Sequence, residues 1–107
     1  MKELYSKVHL MAVEELNRAN KIWPEFASKH EAIGVLDEEI FEMQEELDRF
    51  KRHNFELHEA VFKDYFIDKP LKHVEMNLAA AIAEGIQCLA MCKKFRCLLE
   101  RKEKEYE

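Results

Sequence analysis

The residues with most chemical potential are carboxylates crowded into one stretch: Glu31, Asp37, Glu38, Glu39, Glu42, Glu45 and Glu46. On a helix turning 100° per residue, Glu31, Glu38, Glu42 and Glu45 fall within about 60° of one another, roughly opposite Leu36 and Leu47, while Glu39 lies beside the apolar seam. Acidic runs on helices are usually solvated faces. Here, however, like charges one turn apart repel by a few tenths of a kcal/mol per pair, and few Lys or Arg stand among them to offset the cost. So little compensation points to a cation. A second carboxylate stands out for the opposite reason. Between Leu78 and Cys92, fifteen residues contain one charge, Glu84, and one amide, Gln87. Glu84 shares a helix face with Ala81, Cys88, Met91 and Phe95 and should be largely removed from water, where an unpaired carboxylate costs several kcal/mol. It must be protonated, paired with a base or bound to a metal. Oxygen donors of this kind suit a hard divalent cation such as Mg²⁺, with Mn²⁺ as the alternative, and Mg²⁺ is commonly shared between a few carboxylates and the phosphates of a substrate.

These residues must be positioned by helices. Only two Gly and two Pro punctuate 107 residues that are 48% apolar and 36% charged, which predicts an all-α chain. Leu4, Val8, Met11 or Ala12 and Leu16 recur at helical spacing and predict a helix over 2–20. It should end before the Trp23-Pro24 step, because a residue preceding proline is pushed out of the α region. Ser28-Lys29-His30-Glu31 reads as a capping box that opens a second helix over 28–51. Leu36, Ile40, Met43, Leu47 and Phe50 then alternate by four and three, the seam of a helix packed on another. A short third helix is expected over 55–66, and a last one over 70–102 with Pro70 in its first turn, fraying into the tail after Glu100. The expected architecture is a single three- or four-helix bundle over 1–107. The last helix is apolar on all sides, so it should lie at the centre of the bundle or in a subunit interface, completed by a homodimer or homotetramer. Gly85, beside Glu84, would let another backbone approach.

Composition narrows the partners. Seventeen basic against 22 acidic residues give a net charge of −5, the opposite of a nucleic-acid footprint. No basic-then-apolar leader opens the chain, and the apolar run of about 15 residues falls short of the roughly 20 that span a bilayer, so no membrane partner is expected. Cys88, Cys92 and Cys97 are odd in number and form no CxxC pair. They are expected to be reduced core residues in a cytoplasmic protein.

The acidic segment Glu38-Glu39-Ile40-Phe41-Glu42 has the EExxE form of the all-α nucleoside triphosphate pyrophosphohydrolases, the MazG-like and dimeric dUTPase-like superfamily. The flanking run from His30 to Glu39 resembles the opening of small phage and bacterial MazG-like proteins, as does the run from Glu84 to Met91 for their later helix. The resemblance covers roughly residues 26 to 98. It implies an oligomeric helical bundle, a hydrolase that cleaves a nucleoside triphosphate to a monophosphate and pyrophosphate. Glu38, Glu39, Glu42 and Glu84 would then hold Mg²⁺, with Glu38 and Glu39 catalytic and Gln87 completing the metal set. The chain departs from the pattern at Gln87, which stands where the ExxD motif has its aspartate, and in the longer gap between Glu42 and Glu84. The loss of that charge supports a second expectation, a catalytically inactive helical protein-interaction module. A basic residue should touch the phosphates. Lys29, Arg49, Lys51, Lys93, Lys94 and Arg96 all qualify, and Lys29, Lys94 and His30 are the substrate-contacting candidates.

Other constellations are weaker. None of the five histidines has Glu three residues before it, so the ExxH element of di-iron bundles is absent. His73, near the face of Asn77 and Glu84, could extend a polar line into the bundle. Trp23, Phe26 and Phe41 could stack on a base, though aromatics at such positions are more often core.

Overall fold

The computed structural model describes residues 1–22 and 25–103, with the helical backbone alone of 104–106. Three helices account for almost all of them: α1 (Lys2–Ile22), α2 (Lys29–Phe62) and α3 (Asp68–Tyr106). The first ends where expected, next to the Trp23-Pro24 step, which itself lies outside the described residues. At α2, Ser28 has extended backbone angles (φ −153°, ψ 164°) and its Oγ accepts the Glu31 N–H at 3.1 Å, which supplies a partner to one of the free donors of the first turn.

The sequence expectation of separate helices over 28–51 and 55–66 is overturned, because α2 runs unbroken through both. No Gly or Pro occurs between Gly34 and Pro70, so nothing in the backbone calls for a stop. Lys51 and Arg52, which look like a polar break, are solvent-facing, and the inward stripe continues through half-buried His53, Asn54 and Leu57 to buried Ala60. The helix ends a turn later in a Schellman arrangement. Tyr65 N–H donates to Ala60 O at 2.9 Å and Asp64 N–H to Val61 O at 3.2 Å, with Asp64 in the left-handed region (φ 54°) usually given to glycine. After the short connection α3 begins at Asp68, so Pro70 sits in its first turn as expected, and an Asp68–Lys72 ion pair of 3.2 Å spans that turn. The helix also continues past the expected end at 102.

The five-residue connection makes α2 and α3 an antiparallel pair. Along α3, Val74, Asn77, Ala81, Glu84, Cys88, Met91, Phe95 and Leu98 alternate by three and four, and each is buried or half-buried. Phe26, Ala32 and Leu98 form one buried cluster, supported by Val35, Met91 and Phe95. A second joins α1 to α3 through Ala12, Leu16 and Ala90, with Ile86, Leu89 and Met91 around it. Among the described residues α3 packs against both other helices, whereas α1 and α2 make no close backbone approach to each other.

The result is long. The radius of gyration is 18.3 Å, and the extents are 66 × 29 × 23 Å, against a radius of about 13 Å for an ordinary domain of this size. Elongation leaves apolar surface uncovered, so within one chain α3 is not enclosed on all sides. On α3, Met76, Leu78 and Ile82 are exposed, as are Phe55, Phe62 and Phe66 elsewhere in the chain. By length and composition alone, an 18-residue window of α3 is apolar enough to cross a membrane. The uninterrupted run from Leu78 to Cys92 is shorter than that window. Core helices share this composition.

Gly85 does not admit a neighbouring backbone. A Cβ built there would meet Met43 Sδ at 3.6 Å, an ordinary contact, and one at Gly34 would meet nothing. Glycine inside a helix costs about 0.5–1 kcal/mol relative to alanine. Gly34→Ala and Gly85→Ala should therefore each raise the unfolding free energy by roughly that amount, measured by urea denaturation followed by circular dichroism.

Candidate functional site

Because α2 and α3 run antiparallel, Glu39 and Glu84 meet near the middle of the hairpin. With Glu42, one turn on from Glu39, they bring three carboxylates together whose ligand oxygens all lie within 4.8 Å of one another. Glu39 and Glu84 are half-buried and Glu42 is exposed. Glu39 Oε2 and Glu84 Oε2 are fully enclosed and accept no hydrogen bond. A buried carboxylate oxygen without a donor carries an uncompensated desolvation cost. Burial pushes the Glu39 carboxyl above its ordinary range, and the charges of Glu42, Glu84, Glu38 and Glu15 push it further. Glu84 is raised by burial first, then by Glu42 and Glu46 and by a hydrogen bond with Glu42. Two enclosed, donorless oxygens on facing helices make an all-oxygen donor set of the kind hard divalent cations take.

Glu39 also borders a cleft of about 580 Å³, within the roughly 300–1,000 Å³ of small-molecule sites. It opens where α1 and α2 stand apart. Glu15, Arg18 and Ala19 line it from α1; Glu31, Val35, Glu38 and Glu39 from α2; Gln87, Met91 and Lys94 from α3, with Phe26 from the connection. Lys94 is 5% exposed, and its ammonium lies 4.6 Å from the centroid of the Phe26 ring, a cation–π contact that accommodates a lysine among apolar neighbours.

The sequence candidates thus divide. Glu39, Glu42 and Glu84 converge; Glu38, Glu39, Gln87 and Lys94 line the cleft; Lys29 and His30 are exposed at the start of α2 and border neither. Of the other bases, Lys93 faces α1, its Nζ 2.8 Å from His9 Nδ1, and Arg49 pairs with Glu46. Phe26 is buried at the cleft wall, Phe41 is exposed away from it, and Trp23 lies outside the described residues. The cysteines are free, but only Cys88 is a core residue; Cys92 and Cys97 are exposed. Burial raises the Cys88 thiol, which makes it inert.

Sequence reasoning missed Arg18 and Glu15. Arg18 donates to both Glu15 oxygens, one of these bonds at 3.1 Å, and holds the Glu15 carboxyl below its ordinary range. The available signal was their position beside Leu16 and Ala19, which places them at the edge of the buried face of α1. Family models, curated proteins and solved structures were all compared with the chain, and none matches it.

The raised carboxyls have a thermodynamic consequence. A group that binds its proton more tightly in the folded state contributes stability in full below its unfolded pKa and loses it as pH rises through the folded value. Glu39 and Glu84 should therefore make the metal-free protein less stable as pH climbs out of the ordinary carboxylate range. Glu39→Gln should flatten that decline and raise stability at pH 7, read from thermal melts across pH. Millimolar Mg²⁺ should raise the melting temperature of the native chain at pH 7, less so in acid, and not that of the variant.

Proposed function

We propose that the chain is a Mg²⁺-dependent nucleoside triphosphate pyrophosphohydrolase of the MazG-like type, with Mn²⁺ as an alternative ion. The reading is carried by one observation: Glu39 and Glu84, on facing helices, each hold an enclosed carboxylate oxygen without a donor, together with Glu42 and beside a cleft of nucleotide size. Four acidic side chains and two basic ones line that cleft, so a triphosphate would be repelled unless divalent cations accompanied it.

In this reading Glu39, Glu42 and Glu84 hold the cation, with Glu38 and Gln87 at its cleft side. The cation, when bound, offsets phosphate charge and lowers the pKa of bound water. Lys94 and Arg18 face the polyphosphate, and Phe26 and Met91 give the base an apolar wall. Glu38, which lines the cleft outside the carboxylate trio, takes a proton from the attacking water in this reading. The water oxygen bonds to the α-phosphorus, the α–β bridging bond breaks, and pyrophosphate leaves the nucleoside monophosphate. Gln87 favours the second reading, an inactive interaction module, because an amide contributes no charge to the site.

The same proposal includes a homodimer or homotetramer in the cytoplasm. An elongated chain that exposes Phe62 at 82% and Phe66 at 86% leaves apolar area for a second copy to cover, and three free thiols accord with a reducing compartment.

Pyrophosphate release should appear with Mg²⁺ or Mn²⁺ over a panel of ribo- and deoxyribonucleoside triphosphates and fall at least a hundredfold in Glu38→Gln at unchanged helicity. Silence across the panel, with no coupled binding of Mg²⁺ and a non-hydrolysable triphosphate by calorimetry, would instead establish the interaction module. Light scattering should give a mass of two or four chains; a sharp monomer would remove the oligomer from the proposal.

A further inference from the structure

The α2/α3 seam holds a second polar layer, away from the carboxylates. His53 lies fourteen residues beyond Glu39 on α2, about 21 Å along the helix axis. Across from it stands His73 of α3, the two imidazole centroids 5.0 Å apart and the rings inclined at 66°. Glu56, one turn on from His53, approaches the same point, with Oε2 3.2 Å from His53 Nδ1. Ligand atoms of His53, Glu56 and His73 all lie within 4.8 Å of one another. Both imidazoles are half-buried and Glu56 is exposed, so the layer is anchored between the helices and open to solvent on one side. Asn77 Nδ2 donates to His73 O at 2.7 Å, tying the next turn of α3 to the residue that carries the ring.

We infer that His53, Glu56 and His73 form a binding site for a borderline divalent transition metal of the Zn²⁺ class, distinct from the carboxylate centre. Two imidazole nitrogens and one carboxylate oxygen are the donors this class takes, and three protein ligands leave further positions to water. Spacing supports the geometry: residues three apart on α2 share a face, so one helix supplies His53 and Glu56 to the same point while the other supplies His73. The position gives the site a purpose. Among the described residues, the nearest buried ones on either side of this layer along α2 and α3 are the small Ala60 and Ala81. A metal bridging α2 and α3 here replaces missing core with a crosslink, and its binding free energy adds to the folding free energy.

The test uses the full, untagged chain with Zn²⁺ and Co²⁺ as probes. One equivalent of Zn²⁺ should shift the imidazole ¹⁵N resonances of His53 and His73 and leave those of His9, His30 and His58 in place, and it should raise the melting temperature. Co²⁺ should give a visible absorption band. Both signals should vanish in His73→Ala, weaken at least tenfold in affinity in Glu56→Gln, and persist in Glu39→Gln, which separates this site from the carboxylate centre. Should His73→Ala fail to fold, His53→Gln must lose the same signals. A native chain whose histidine resonances ignore Zn²⁺, or a Co²⁺ band that survives His53→Gln unchanged, would overturn the assignment.

Discussion

The structure turns on carboxylates placed inside a helix–helix seam. Most layers between α2 and α3 hold Ala, Val, Leu, Met or Phe, as expected where two long helices exclude water. At Glu39 and Glu84 the same geometry forces two like charges toward one another, each with an oxygen that no donor reaches. Nothing in hydrophobic packing favours such a layer, and replacing both residues with apolar ones of similar volume would ordinarily be neutral or stabilising. A cation is the simple compensation, since it supplies the missing electrostatics to Glu39, Glu84 and Glu42 together.

The rest of the molecule arranges access to that layer. Because α3 packs against both α1 and α2 while these stay apart, a cleft opens between them with α3 as its floor. Small residues set how closely α1 settles: Ala12 on one side and Ala90 on the other are fully buried. Phe26, enclosed by Ala32 and Leu98, fixes the connection into α2 at the cleft wall, and its ring holds the ammonium of Lys94 toward the opening. Arg101 reinforces this corner by donating to Phe26 O at 2.7 Å and pairing with Glu25. One polar and one apolar wall thus meet beside the carboxylates.

Much of this was legible in the sequence, for definite reasons. Helical class, the Ser28 cap and the position of Pro70 follow from local chemistry that tertiary packing did not override. Glu84 stood out because a charge in an apolar stretch is conspicuous whatever the fold, and Glu39 and Glu42 because they belong to an acidic run with few basic residues in it. The continuity of α2 was misread because His53 and Asn54 are polar residues at seam positions, and a polar pair at a core position imitates the end of a helix. Arg18 was missed because its placement depends on where α1 lands on α3, which periodicity within α1 does not encode. The exposed flank of α3 has the same origin: its apolar wheel predicts contact on every side, and this chain supplies helices for two of them.

The misreading of α2 bears on register. A long antiparallel pair with a three–four repeat can slide by one heptad and bury nearly the same apolar area, so apolar packing alone specifies the alignment weakly. Polar layers break that degeneracy, because displacing one strands its members against apolar partners. Two such layers in this hairpin are His53 with His73 and Glu39 with Glu84, about 21 Å apart along α2. The histidine layer is self-compatible, since the two imidazole rings pack edge to face. The glutamate layer is not, because ionised carboxylates favour any register that separates them. In the proposed reading a bound cation would reverse that preference, because Glu39 and Glu84 share a partner only when α2 and α3 are aligned as observed. Under the proposed function, cation occupancy would thus be coupled to helix register through Glu39 and Glu84, and the cleft beside them, whose walls include α2 and α3, takes its shape from that alignment.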